Sequence, residues 1–359
     1  MTRAVITHGP RRDAAAIAPD IDMTTWLAGL ELPSPVLTAS GCAAAGRELD
    51  QFFDVTAIGA VVTKSIMLNP RSGRATPRMA ETPSGMLNSI GLQGPGIDAF
   101  LDKDLEWLRA RGARAVVSIA GGSVEEYTRL ASKLRHVTDI AAIEVNISCP
   151  NVEDRGQVFA CNPVAAAEVI TAVRRNTNPG IPVLAKLSPD VTDIVEIARA
   201  VVGAGADGLS MINTLLGMVI DTDTMRPALA GVTGGLSGPA IRPVAVRCVY
   251  QVHAAMPEVP ILGMGGIRTG LDALEFVLAG ASAISVGTAT FNDPSAPIRV
   301  ARELAIALAE RGFESLEAAV GFAHRLPDPV PSSGGPVAGH QVDVDADPAD
   351  VVVEAGVEG

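Results

Sequence analysis

The sequence has few cysteines, and none of its four falls in a pattern that holds metal. Cys42, Cys149, Cys161 and Cys248 make no C-x-x-C pair and no spacing suited to zinc or an iron-sulfur cluster. A reducing, cytoplasmic setting is the simplest expectation. No uninterrupted apolar stretch reaches the roughly 18 to 20 residues that a spanning helix requires, and the N-terminus lacks the charged-then-apolar layout of a signal peptide. The chain is therefore expected to be soluble, with no membrane partner. A basic run able to track phosphates is also missing, and the formal net charge of -12 argues against nucleic acid or anionic lipid as the main partner. Candidate bases are scarce as well. The five histidines, His8, His136, His253, His324 and His340, fall in the tails or in helical segments, which argues against an imidazole base.

What is present is apolar. A chain of 359 residues, 48% of them hydrophobic, can bury a substantial core as one large α/β domain or two ordinary ones. Its ends differ from its middle. Residues 1–22 show no sustained period and precede an internal Met23, so they are expected to be a mobile extension, or Met23 to be the true start. After Arg325 there is no Lys or Arg, and residues 326–359 combine turn formers with scattered acids, the composition of a disordered acidic tail.

Between these ends, short apolar runs alternate with helical patterns, as in βα units around a parallel sheet. The strand-like runs are VLTAS (36–40), AIGAVVT (57–63), AVVSIA (115–120), AAIEVN (141–146), PVLAKL (182–187), DGLSMIN (207–213), PILGMG (260–265) and SAISVG (282–287). Helical segments are expected after each. In VTDIVEIARAVVGAG, Ile194, Ile197 and Val201 share one stripe, and GLDALEFVLAGA closes with Gly280 as a left-handed cap. Eight such units in about 300 residues predict a (β/α)8 TIM barrel with extended loops at its C-terminal face over residues 23–325. GAGADG at 203–208 matches the dinucleotide pattern G-x-G-x-x-G, yet it follows a helix and precedes a strand, so it is an ordinary helix-to-strand turn.

In a barrel of this kind the chemistry sits where strands end. Those ends carry Ala39-Ser40-Gly41, Lys64-Ser65, Asn146 to Asn151, Lys186, Asn213-Thr214, Gly265-Gly266 and Gly287-Thr288. Glycines after the seventh and eighth strands either make tight turns or leave backbone N–H groups bare for a phosphate. Lys186, among apolar neighbours, needs an anion: a nearby acid or a cofactor's charge. Lys64 offers a second cation for an anionic substrate. The sharpest question is AAIEVNISCPN (141–151), where an apolar, β-branched run from Ala141 to Val145 ends in amides and a thiol. A lone cysteine usually packs as a small hydrophobe, but Cys149 stands in a polar loop before Pro150. Its thiol can act as base or as nucleophile, and one cysteine does not decide between them.

Together, NISCPNVEDRGQVFACNP, ETPSGMLNSIGLQGPG, AKLSPDVTDI, ADGLSMINTLLG and VTGGLSGPAIRPVA closely resemble the class 1 dihydroorotate dehydrogenases, especially the FMN-binding class 1B catalytic subunit. The resemblance spans Met23 to Arg325. It implies oxidation of (S)-dihydroorotate to orotate in pyrimidine biosynthesis, with Cys149 removing the C5 proton and FMN taking a hydride from C6. It implies flavin contacts at Ser40, Lys64, Ser65, Ser118, Asn146, Lys186, Ile212, Gly238, Gly265, Gly266, Gly287 and Thr288. Substrate contacts are implied at Lys64, at Asn88, Ser89, Ile90, Gly91 and Leu92, and at Asn146, Asn213 and Thr214. Lys186 would stabilise the reduced, anionic flavin, and the loop around Cys149 would act as a lid.

The resemblance also implies a homodimer and a partner subunit carrying FAD and a 2Fe-2S cluster that passes electrons to NAD. One position departs from it: class 1B relatives carry Asn where this chain has Ser118, which shortens the reach toward the flavin. Three other readings stand beside it, namely a class 1A-like enzyme using fumarate, a dihydropyrimidine dehydrogenase-like activity on dihydrouracil, and a non-catalytic barrel subunit.

Overall fold

A computed structural model describes residues 21–147 and 159–325. Cys149, residues 1–20 of the N-terminal extension and the acidic tail lie outside the described residues.

Eight parallel strands form the core: β1 (Val36–Thr38), β2 (Val61–Val62), β3 (Ala115–Ile119), β4 (Ala142–Asn146), β5 (Val183–Leu187), β6 (Gly208–Met211), β7 (Ile261–Met264) and β8 (Ala283–Val286). Each pairs with its chain neighbour, and β8 pairs with β1 through Ile284↔Val36. The circle closes where Leu37 bridges Ala60 and the Gly59 N–H donates to the Val36 carbonyl at 2.8 Å. The chains approach so closely there that a Cβ on Gly59 would lie 2.3 Å from the Ser34 carbonyl oxygen. This is a (β/α)8 barrel, and all eight strand-like runs of the sequence form its staves.

Strand residues alternate between two surfaces, as the period of two demands. Val117, Ile119, Ile143, Val145, Val183, Ala185, Leu209, Ile284 and Val286 face the helices and share one core with them. Val116, Ala142, Leu184, Leu262 and Ala283 face inward, where they join Leu27 and Leu32 of an N-terminal hairpin, Thr25–Leu27 with Leu30–Leu32. That hairpin plugs the barrel floor.

The outer helices are α1 (Glu106–Arg111), α2 (Val124–Leu134), α3 (Pro163–Asn176), α4 (Ile194–Gly203), α5 (Arg242–Ala255), α6 (Gly270–Ala279) and α7 (Ala296–Ala309). On α4 the predicted stripe of Ile194, Ile197 and Val201 is buried, and Gly280 ends α6 at φ 116°. The turn over 203–208 runs from α4 into β6, as its order in the chain predicts.

One expectation fails. Between β1 and β2 the described residues form no α-helix, only single 3-10 turns at Leu49–Gln51 and Val55–Ala57. Gly46 at φ 90° and the extended Asp54 interrupt the segment before an α-helix can propagate. The extended loops expected at the C-terminal end carry strands of their own. Leu215–Gly217, Gly234–Ser237, Gly85–Asn88 and Met79–Thr82 pair in that order as an antiparallel sheet, with Gly235 opposite Asn88.

Candidate active site

Two residues above the apolar floor, the inward positions of β3, β4 and β5 change character. Val116, Ala142 and Leu184 give way to Ser118, Glu144 and Lys186, all buried. Strand register sets Ser118 beside Glu144 and Asn146 beside Lys186. A lysine and a glutamate in a barrel interior each lose hydration, a loss offset only by pairing and hydrogen bonding. The Lys186 ammonium donates to Ser40 Oγ at 2.9 Å and stands 3.6 Å from Glu144 Oε1, with side chains 5% and 0% exposed.

From Glu144 the bonding continues across the rim. Ser118 Oγ donates to Glu144 Oε1 at 2.9 Å, Ser65 and Ser118 hydroxyls lie 2.8 Å apart, and Asn146 Nδ2 donates to Ser65 Oγ at 2.9 Å. Asn213 Nδ2 reaches Asn146 Oδ1 at 3.4 Å, and the Thr214 N–H donates to Asn213 Oδ1 at 2.8 Å. Ser40, Ser65, Ser118, Asn146, Lys186, Asn213 and Thr214, drawn from the ends of six strands, thus form one network. Sequence reasoning missed Glu144 at its centre. The signal was a single acid inside an otherwise apolar strand, with a single lysine on the strand that pairs with it.

Glycines form a second constellation. Gly238 lies at φ 93° before α5, and Gly266 at φ 78° follows β7. A Cβ on Gly266 would lie 2.7 Å from the Gly238 carbonyl oxygen and 2.9 Å from Arg242 Cβ, so only glycine fits. Gly265 packs against Ala245 in the same way, and the buried Ile212 donates its N–H to the Met264 carbonyl at 3.1 Å beside it. Thr288 Oγ1 donates to Ser237 Oγ at 2.8 Å, which joins the loop after β8 to the loop before α5; Ser237 was another residue not foreseen. Gly287 meets the first loop, since a Cβ there would lie 3.1 Å from Ala39 Cβ and 3.4 Å from Cys42 Sγ. Burial pushes the Cys42 thiol up to about 11, against the pull of the Lys186 charge, so Cys42 is a neutral thiol.

Lys64, at the end of β2, is half-buried and lines a cavity of about 500 Å³ with Thr63, Ser65, Arg71 and Gln93. Burial, and then the charge of Arg78, holds its ammonium below the ordinary lysine value of 10.5. The Asn88–Leu92 segment is clasped by arginines: Arg74 Nη1 donates to Ser89 Oγ at 3.3 Å, the Arg74 N–H to the Ile90 carbonyl at 3.1 Å, and Arg71 Nε to the Gly91 carbonyl at 2.9 Å. Gly91 and Leu92 take φ of 77° and 54°. Asn88 Nδ2 donates to the Gly235 carbonyl at 3.3 Å, and Thr214 packs against that same Gly235. Through this contact the segment meets the network. Arg71, Arg74 and Arg78 were not foreseen, although PRSGRATPR is the most basic stretch near the rim.

The fold and the polar rim are those of a barrel enzyme. Residues 22–308 match the family described as dihydroorotate dehydrogenase. The dihydroorotate dehydrogenase B (NAD(+)) catalytic subunit of Geobacter sp. (strain M21) is 50% identical over 300 residues, 84% of this chain and 97% of the relative. The protein of that name from Geotalea daltonii is 51% identical over 300 residues, with the same coverage. That from Desulforudis audaxviator is 52% identical over 299 residues, 83% of this chain and 96% of the relative. The chain belongs to the dihydroorotate dehydrogenase family. Enzymes of this family are flavin-dependent, using FMN.

Proposed function

We propose that this chain oxidises (S)-dihydroorotate to orotate in pyrimidine synthesis, as the catalytic subunit of an enzyme that delivers electrons to NAD through a partner. The observation that carries the reading is the buried network from Ser40 through Lys186 and Glu144 to Asn213, on the rim that also holds the glycine loops. The relatives' names, catalytic subunits of an NAD(+) enzyme, support the electron route. The partner would carry FAD and a 2Fe-2S cluster, the catalytic chain would form a homodimer, and both would work in the cytoplasm. No helix among the described residues is long and apolar enough to cross a membrane.

The residues fit FMN. Gly238, Gly265, Gly266, Gly287 and Thr288 offer bare backbone and a hydroxyl to a phosphate, while Lys186, held by Ser40, offers a buried positive charge to the ring. Ser65, Ser118 and Ile212 complete that side. Held by these residues, FMN would supply the hydride acceptor for C6 of the substrate. Lys64 faces the substrate carboxylate, and the amides of Asn88, Asn146 and Asn213 with the Thr214 hydroxyl pair with the ring's donors and acceptors. Ser89, Ile90, Gly91 and Leu92 form the wall that the arginines hold in place. Cys149 removes the C5 proton, so proton and hydride leave from neighbouring carbons and a C5–C6 double bond forms.

The test is Cys149→Ala. The variant should bind FMN and stay yellow, yet lose most flavin reduction by dihydroorotate at neutral pH. Full activity would remove Cys149 from the role of base.

A further inference from the structure

Glu144 has no assigned part in the chemistry, yet it is the most buried acid at the rim. Its Oε2 has no hydrogen-bond partner among the described residues, while Oε1 takes both the Ser118 hydroxyl and the Lys186 ammonium. An ionised carboxylate only accepts, and that fixes the direction of every bond beyond it. Ser118 must donate to Glu144, so it accepts from Ser65. The Ser65 proton is then spent, so Ser65 accepts from Asn146, and it is the amide nitrogen that turns toward Ser65. Asn146 Oδ1 is thereby aimed at Asn213. On its other side Glu144 balances a buried ammonium that Ser40 holds from a different strand.

We propose that Glu144 is a positioning residue: through the Ser118–Ser65 hydroxyl pair it sets the orientation of the Asn146 amide, and through Lys186 it sets the charge presented to the cofactor. Ser118 is the hinge of this relay. Its short hydroxyl, fully buried, points into the network and donates to Glu144. Ser118 thus links the acid to the Ser65 hydroxyl and, through it, to the Asn146 amide. The consequences for substrate and FMN rest on the function proposed above; the bonds themselves do not.

The experiment exploits the chain's four lysines, Lys64, Lys103, Lys133 and Lys186. Nitrogen-15 NMR of the FMN-free chain should show a protected ammonium signal for Lys186, assigned by its loss in Lys186→Met. Glu144→Gln should broaden or shift that signal, and Ser118→Ala should leave it in place while moving the Asn146 side-chain amide signals. In the FMN-loaded protein, Ser118→Ala should raise KM for dihydroorotate about ten-fold, as expected when substrate-positioning hydrogen bonds lose their direction. Glu144→Gln should shift the midpoint potential of the bound flavin upward, since a negative charge is removed beside Lys186. Should Glu144→Gln fail to fold, Ser118→Ala carries the test alone. Unchanged Asn146 signals in folded Ser118→Ala, or an unchanged Lys186 signal in folded Glu144→Gln, would overturn the relay. A chain that shows these NMR shifts but takes up no FMN would keep the relay and sink the functional reading; an FMN enzyme without them would do the reverse.

Discussion

The Tyr127 hydroxyl donates to the Asn146 carbonyl oxygen at 2.8 Å, tying the buried face of α2 to the last residue of β4. The bond holds the strand end at the point where Asn146 turns its side chain into the rim network. Tyr127→Phe keeps the ring and removes the donor, which should cost about 1 kcal/mol of stability. Urea unfolding measures that loss, and dihydroorotate KM should rise in the same variant as Asn146 loosens.

Gly266→Ala places a methyl against the Gly238 carbonyl in a left-handed backbone conformation, at a cost of about 1–3 kcal/mol. Flavin-fluorescence titration should show weaker FMN binding in this variant. Gly180→Ala, where an added Cβ meets only Asn178 Oδ1 at 3.6 Å, should bind FMN like the parent.

Lys64 titrates below the ordinary lysine range because burial disfavours its charge and Arg78 repels it. Dihydroorotate KM should therefore rise toward alkaline pH as the ammonium loses its proton and with it the attraction for the substrate carboxylate. Arg78→Gln removes the repulsion, so the same rise should move to higher pH. A KM profile identical in parent and variant would contradict the coupling.

His253 sits against His324, with ring centroids 4.9 Å apart, and burial and that neighbour hold its pKa below 6.5. The unfolded chain takes up this proton more readily than the folded one. The contribution of neutral His253 is therefore complete above its unfolded value and is lost as pH falls through the lower folded value. Urea unfolding at about pH 7.5 and about pH 5.5 should show a loss of stability that is smaller in His253→Gln.

The barrel was legible because each stave is an apolar run buried on both faces, from Val36 to Val286, and because polar residues cluster where the staves end. What was not legible had mixed or short patterns. Met79–Thr82 alternates exposed and half-buried positions over four residues, and Leu215–Gly217 over three, so neither carries a core-facing signature. Glu144 was hidden for the opposite reason. It lies within an apolar strand, and only the register that pairs β4 with β5 reveals that Lys186 answers its charge. Ser40, Ser65, Asn146, Lys186 and Asn213 were identified by resemblance to the family, and the structure joins them by hydrogen bonds. The arginine clasp on Asn88–Leu92 depends on contacts between loops, which no local pattern encodes.

The central claim is that this rim oxidises dihydroorotate on bound FMN. Anaerobic stopped-flow absorbance of the FMN-loaded chain, mixed in turn with dihydroorotate and with dihydrouracil, tests it most directly. The flavin should bleach with dihydroorotate, with one orotate formed per flavin reduced, and should stay oxidised with dihydrouracil. A chain that remains colourless in excess FMN, or that bleaches only with dihydrouracil, would contradict the account.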